Sequence, residues 1–223
     1  MTHGFFLTVE GIEGSGKSTQ VEKLGQLIRN TGQNCVLTKE PGGTELGDRI
    51  RAILLDPHEE GMDALTEALL YAASRRQHVV ELIRPSLERG AIVLCDRYSD
   101  ATLAYQGFGR LLSLEQLRGL TDWATDGVYP DLVLIFDLPE PLGLERAKQR
   151  NLTKDLQRES RLEGEDLRFH RRVREGYLAL AKEDPERYLV IDASGTIDEV
   201  FARTVAEISR RAPRLRLEAE SPA

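Results

Sequence analysis

The chain has 223 residues, 40% hydrophobic and 30% charged, which suits one soluble α/β domain with room for a sizeable core. Its 30 Lys and Arg stand against 37 Asp and Glu, a net charge of −7, and this weighs against nucleic acid as the main partner because polyanion binding usually needs a basic surface. No apolar run approaches the ~20 residues of a membrane span, and residues 1–6 lack the basic and apolar regions of a signal peptide, so a cytoplasmic protein that meets no membrane is expected.

Apolar runs alternate with helical periodicities along the chain. Residues 5–9 read as a first strand, followed by a glycine-rich segment and a helix marked by Val21, Leu24, Leu27 and Ile28. A second strand at 35–38 ends in the turn Pro41-Gly42-Gly43-Thr44. Leu65, Leu69 and Ala72 open a long helical stretch over 64–88. Strands follow at 92–95 and 132–136. Phe169, Val173, Tyr177 and Leu180 mark another helix, then a fifth strand covers 188–191. Ile197, Val200, Phe201, Val205 and Ile208 mark the last helix. The strands are continuous apolar runs, so both faces should be covered, and the alternation predicts a parallel sheet with helices on both sides. Ligands in such folds bind beyond the carboxyl ends of the strands. Cys35 and Cys95 belong to no CxxC or Cys/His cluster and read as buried strand thiols in a reducing compartment.

Residues 148–166 break the pattern. They are densely charged, and composition alone favours a solvated connection between helices; the alternative is a lid over substrate. The domain is placed at 1–212, with a polar tail over 213–223 that should fray.

The segment after the first strand is Gly11-Ile12-Glu13-Gly14-Ser15-Gly16-Lys17-Ser18-Thr19, a full match to GxxxxGK[ST] between a strand and an amphipathic helix. Its glycines let backbone N–H groups turn toward phosphate oxygens, and the helix N-terminus adds its positive dipole end. Lys17 is placed as a point charge for the β- and γ-phosphates of ATP, and the Ser18 hydroxyl as a ligand for Mg²⁺. A phosphotransferase and a nucleotide-dependent switch share this loop. A GTPase switch carries NKxD after a late strand; here Asn151, Lys154 and Asp155 have the letters at the wrong spacing. The third strand instead ends in Asp96-Arg97-Tyr98. An Asp there is placed for Mg²⁺ or its water, and the Arg for a second anion, which a nucleoside-monophosphate kinase needs and a switch does not. Arg49 and Arg51 follow the Pro41–Thr44 turn. Tyr71 and Arg75 share a helix face, so they offer either an aromatic surface beside a donor fork or, respectively, core packing and a solvated face.

Taken together, these segments resemble thymidylate kinase of the bacterial type, from about residue 5 to residue 208. The resemblance rests on the loop 9–19, Lys39-Glu40-Pro41-Gly42-Gly43-Thr44, Tyr71-Ala72-Ala73-Ser74-Arg75, Asp96-Arg97-Tyr98, Ala104-Tyr105-Gln106-Gly107, Tyr129-Pro130-Asp131-Leu132 and Arg161-Leu162-Glu163. It implies a P-loop nucleoside-monophosphate-kinase fold with a five-stranded parallel sheet and a small lid, acting as a homodimer with ATP, Mg²⁺ and dTMP. Gly11 to Thr19 would hold ATP, and Ser18 and Asp96 the metal. Glu13, Glu40, Arg51, Tyr71, Arg75, Arg97, Thr102, Tyr105 and Gln106 would hold dTMP. Arg51 and Arg97 would grip its phosphate, Tyr71 would stack on thymine where the family usually has Phe, and Arg75 would reach a thymine carbonyl. Tyr105 would crowd the 2′ position. Lys17, Arg97 and Arg161 would be the catalytic set. Arg161 stands for the lid arginine that the bacterial type uses in place of a basic P-loop residue, since Gly14 occupies that place here. Ser160 replaces the Asp that often precedes this arginine, leaving Arg150 and Arg158 as alternatives, and Ala101 replaces a hydroxyl residue. Another P-loop kinase of a small acceptor, or less favoured an NTP switch, is the competing expectation.

Overall fold

In chain order, β1 (Phe5–Glu10) leads through the glycine-rich loop into α1 (Lys17–Asn30), and β2 (Cys35–Lys39) precedes α2 (Glu45–Leu55) and α3 (Ala64–His78). A π-helical segment (Val79–Ile83) carries α3 directly into α4 (Arg84–Glu88). After β3 (Ile92–Asp96) come α5 (Ser99–Thr102), a second π-helical segment (Leu103–Gly109) and α6 (Leu114–Thr125). Then follow β4 (Leu132–Asp137), α7 (Glu140–Thr153), α8 (Leu167–Glu183), β5 (Tyr188–Asp192) and α9 (Ile197–Arg211). The structure, a computed structural model, describes residues 4–56, 58, 61–153 and 162–217.

All strand pairs are parallel, in the order β2-β3-β1-β4-β5. The chain leaves β1 toward β3 and β2, then crosses to β4 and β5, so the order reverses beside β1 and opens a crevice at its carboxyl end. Side-chain alternation along the strands divides the core. Leu7, Val9, Leu94, Leu134 and Ile191 pack against α1 and α9 through Leu24, Ile28, Val200 and Ile208. On the other face, Val133 and Ile135 meet Phe169, Val173 and Tyr177 of α8. Phe6, Val93 and Cys95 meet Val79, Ile83 and Leu87. Both cysteines are free and buried.

Three sequence expectations change. The strands are not uniformly covered: β2 and β5 are edges, and Val190 is 48% exposed. The stretch over 64–88 is continuous but holds a π-helical turn rather than one regular α-helix. The expected polar tail from residue 213 is packed at its start. Pro213–Leu215 forms a 3-10 turn, and Leu215 and Leu217 join the core because they lie against the open end of the sheet. Residues 218–223 lie outside the described residues. Among the described residues no helix is long and apolar enough to cross a membrane.

Every strand also runs one residue beyond its apolar run, into Glu10, Lys39, Asp96, Asp137 or Asp192. Of these charged ends, Lys39 and Asp96 line the cleft that the crevice opens into, while Glu10 is fully buried beneath it.

Candidate active site

The glycine-rich loop joins the end of β1 to the first turn of α1. Gly16 caps α1 at φ 87° with open space where a Cβ would stand, so its need is conformational. Gly14 is different: at φ 71°, a Cβ would lie 1.9 Å from the Gly143 carbonyl oxygen. The loop therefore rests directly on the backbone of α7, and no side chain fits at that position. Lys17 Nζ donates to the Ile12 carbonyl at 2.7 Å and to Ser15 Oγ at 3.3 Å. Burial and the neighbouring Arg97 pull its ammonium down to about 8, against the attraction of Asp96, Glu13 and Glu10. The Ser18 hydroxyl donates to Asp96 Oδ2 at 2.6 Å, joining the two expected metal ligands. A hydroxyl and a carboxylate are hard oxygen donors, the set that suits Mg²⁺ shared with substrate phosphates. Glu13 to Thr19 line the cleft, whereas the Ile12 side chain is buried in the core.

Next to this loop lies a buried polar cluster. Arg97 adopts φ 69° and turns its guanidinium inward. NH1 donates to the Gly11 carbonyl at 3.0 Å and to Tyr177 Oη at 3.1 Å, and NH2 to Glu13 Oε1 at 3.1 Å. These contacts do not exhaust the guanidinium's donors. Tyr105 Oη donates to the same Glu13 oxygen at 2.7 Å, with the Arg97 guanidinium 4.8 Å from its ring centre. Burial alone would raise the Glu13 carboxyl, but His170, Arg97, Lys17 and Tyr105 outweigh it and hold it at about 2. His170 is fully buried with Nδ1 3.4 Å from Glu13 Oε2, and neither ring nitrogen has a hydrogen-bond partner among the described residues.

Farther from the loop, Glu40 accepts from Arg75 Nε at 2.8 Å and pairs with His78 Nδ1 at 3.0 Å. Arg75 also donates to Thr102 Oγ1 and to the Tyr98 carbonyl. It is only 1% exposed, which excludes the solvated-face reading, and it stands behind the cleft wall while Glu40, Tyr71, Thr102, Tyr105 and Gln106 line it. Tyr71 also packs at the edge of the core. Arg51 lines the cleft and donates to the Pro41 carbonyl at 2.8 Å. Arg49 does not join it; it is exposed and pairs with Glu45. Gln106 Nε2 donates to Glu67 Oε1 at 2.6 Å.

At the opposite end, Ala193, Gly195, Thr196 and Ile197 line the cleft together with Arg146, which donates to the Ala193, Ser194 and Gly195 carbonyls. Arg150 lines it too, with NH2 2.6 Å from Glu163 Oε1. Arg161 and Arg158, like residues 154–161 as a whole, lie outside the described residues.

Sequence reasoning missed Glu10, His170, Glu67 and Arg146, and read Tyr177 only as a helix marker. The available signal was polarity out of place. Glu10 closes an apolar strand, and His170 and Tyr177 lie on the apolar face of α8.

The cleft has a volume of about 1340 Å³, beyond the ~300–1,000 Å³ of an ordinary small-molecule pocket. A phosphate loop at one end and an arginine- and aromatic-lined pocket at the other, on this sheet order, define a P-loop nucleoside-monophosphate kinase. The family model described as thymidylate kinase matches residues 9–204. A thymidylate kinase of Deinococcus radiodurans is 50% identical over 211 residues, covering 95% of this chain and 99% of that protein. One of Pelobacter propionicus is 49% identical over 205 residues, covering 92% and 94%. A crystal structure of thymidylate kinase from Ehrlichia chaffeensis superposes with a TM-score of 0.73 at 36% identity, covering 92% of this chain and 99% of that one. The chain belongs to the thymidylate kinase family.

Proposed function

We propose that the protein transfers the γ-phosphoryl group of ATP to dTMP, giving ADP and dTDP. The observation that carries this reading is the single cleft joining Lys17 and Ser18 at its phosphate-loop end to Tyr71, Thr102, Tyr105 and Gln106 at the other, with Asp96 and Arg97 between them. Backbone N–H groups of residues 13–19 and Lys17 hold the ATP phosphates, and the 193–197 turn with Arg146 borders the adenine. Ser18 and Asp96 would hold Mg²⁺, which neutralises charge on the phosphates. The remaining donors of Arg97, with Arg51, bind the acceptor phosphate and align it for in-line attack. Tyr71 stacks on the base, and Tyr105 and Glu13 lie at the sugar, where crowding favours deoxyribose. Glu40 sets Arg75, which holds Thr102 in the pocket wall.

The acceptor is already an anion, so positioning and charge neutralisation supply most of the acceleration and no strong base is needed. Residues 148–166 act as a lid, with Arg161 neutralising the transferring group; Arg150, at the cleft beside Glu163, is the alternative. The enzyme works as a homodimer in the reducing cytoplasm, and Leu65, Leu69 and Val80, at 54%, 50% and 46% exposure along the 64–88 helix, supply its contact surface.

ADP release from MgATP, measured separately with dTMP, dUMP, dCMP, UMP, AMP, GMP and thymidine, tests the reading. Fast turnover with dTMP, weaker with dUMP and negligible with the rest is expected. Fast turnover with another acceptor would retain the kinase and discard the thymine pocket; slow release independent of acceptor would discard both.

A further inference from the structure

Gln106 lines the end of the cleft assigned above to the base, and the two ends of its amide are chemically opposite, a carbonyl acceptor and an amide donor. What fixes the choice is outside the cleft. Glu67, on α3, is fully buried and Gln106 is 1% exposed. Gln106 Nε2 lies 2.6 Å from Glu67 Oε1. A carboxylate only accepts, so the reversed amide would set two acceptors against each other at that distance. Arg110 also holds the carboxylate, with NH2 3.2 Å from Oε2 and Nε 3.4 Å from the same Oε1 that Gln106 meets. The amide is thus locked with its nitrogen on Glu67, and its carbonyl oxygen is the end left for the cleft that Gln106 lines.

We infer that Glu67 is a positioning residue for base discrimination, acting through Gln106 without touching substrate. The inference rests on the proposed dTMP site and deepens it. Thymine and uracil carry a hydrogen on N3, which a carbonyl oxygen accepts. Cytosine presents a bare N3, which would face that oxygen acceptor to acceptor. A buried polar group facing the wrong partner is strongly rejected. The Arg110–Glu67–Gln106 chain therefore selects for N3–H and against cytosine, whatever the substituent on C5.

The test is kcat and KM of wild type, E67Q, Q106L and the double variant with dTMP, dUMP and dCMP, alongside thermal unfolding. A glutamine at 67 both donates and accepts, so the Gln106 amide can turn. E67Q should lower the dTMP:dCMP ratio of kcat/KM at least about tenfold, mostly through the two KM values. The dTMP:dUMP ratio should stay within about threefold, since both bases carry N3–H. In the Q106L background E67Q should change neither ratio further. If E67Q does not fold, E67D keeps the charge against Arg110 but withdraws the acceptor from Gln106, and the same fall is expected. An equal loss with all three acceptors would make Glu67 merely structural and overturn the inference. A wild-type enzyme without preference for dTMP over dCMP would overturn the dTMP reading and this inference together; a preference that survives in E67Q would overturn this inference alone.

Discussion

Glu10 is a carboxyl group where a carboxylate costs most. It ends β1 with no exposure, accepting from the Tyr98 backbone N–H at 2.7 Å and from Tyr177 Oη at 2.8 Å. Burial, then the charge of Asp100, pushes it from an ordinary 4.5 up to about 8, although Arg97 and its two hydrogen bonds pull the other way. The sign of the linkage follows. The folded state binds the proton more tightly than the unfolded one, so the contribution to stability is complete below about 4.5 and is lost as pH rises through about 8. Gln imitates the protonated acid and does not titrate. Unfolding free energies of wild type and E10Q, measured from pH 4.5 to 9, should therefore diverge, with wild type losing on the order of a few kcal/mol relative to the variant. A constant difference across that range would mean that Glu10 stays ionised in the folded protein. Glu10 is linked to Arg97 through Tyr177, so the same proton sets the charge next to that guanidinium.

The phosphate loop owes its shape to α7 as much as to its own glycines. A Cβ on Gly143 would lie 2.5 Å from the Glu13 carbonyl oxygen, the counterpart of the contact at Gly14. Helix propensity and packing make opposite predictions for G143A. Propensity alone gives a gain of about 1 kcal/mol in a helix. The contact instead forces the loop away from α7, so G143A should lower the unfolding midpoint and raise the ATP KM about tenfold or more, with the dTMP KM changing less. A stabilised variant with normal ATP kinetics would show that α7 does not hold the loop. Nothing in the sequence pointed to Gly143, because the contact joins segments far apart in the chain. The phosphate loop itself was legible because its residues are consecutive, and the strands because each is a run of apolar residues. Asp96 was legible as the acidic residue that ends the third strand, but Glu10 and Asp137 were not, because a hydrophobic pattern stops one residue short of them: Glu10 is fully buried and Asp137 pairs with Arg174. The π-helical segment carrying Tyr105 and Gln106 was equally hidden, since its register depends on packing against α8 and α6 rather than on composition. Arg75 shows the same limit: its spacing from Tyr71 was readable, but not that Glu40, from another element, would draw it behind the wall.

Across the whole molecule, chemistry and anchoring occupy opposite ends of the sheet. The carboxyl ends of the strands carry the cleft, while the amino ends are closed by the segment that follows α9. Leu215 and Leu217 are 1% and 4% exposed in the core that holds Phe5, Leu132 and Ile208. Arg214 pairs with Asp131 Oδ1 at 2.8 Å and covers the Phe5 ring at 4.2 Å, while Asp131 Oδ2 accepts from the Phe6 backbone N–H. Gln33, in the turn between α1 and β2, donates to the Leu215 carbonyl. Two buried leucines contribute on the order of 3 kcal/mol, a large share of the ~5–15 kcal/mol of a typical domain. A chain ending at Ala212 should therefore unfold at clearly lower denaturant than one ending at Leu217. Both should keep the KM values of the full chain at low temperature, because the cleft lies at the other end of the strands. Equal midpoints for the two truncations would show that the leucines do not close the core. A raised KM for either substrate, at a temperature where the shorter chain is still folded, would show instead that closure at the amino ends is transmitted through the sheet to the loops that bind nucleotide.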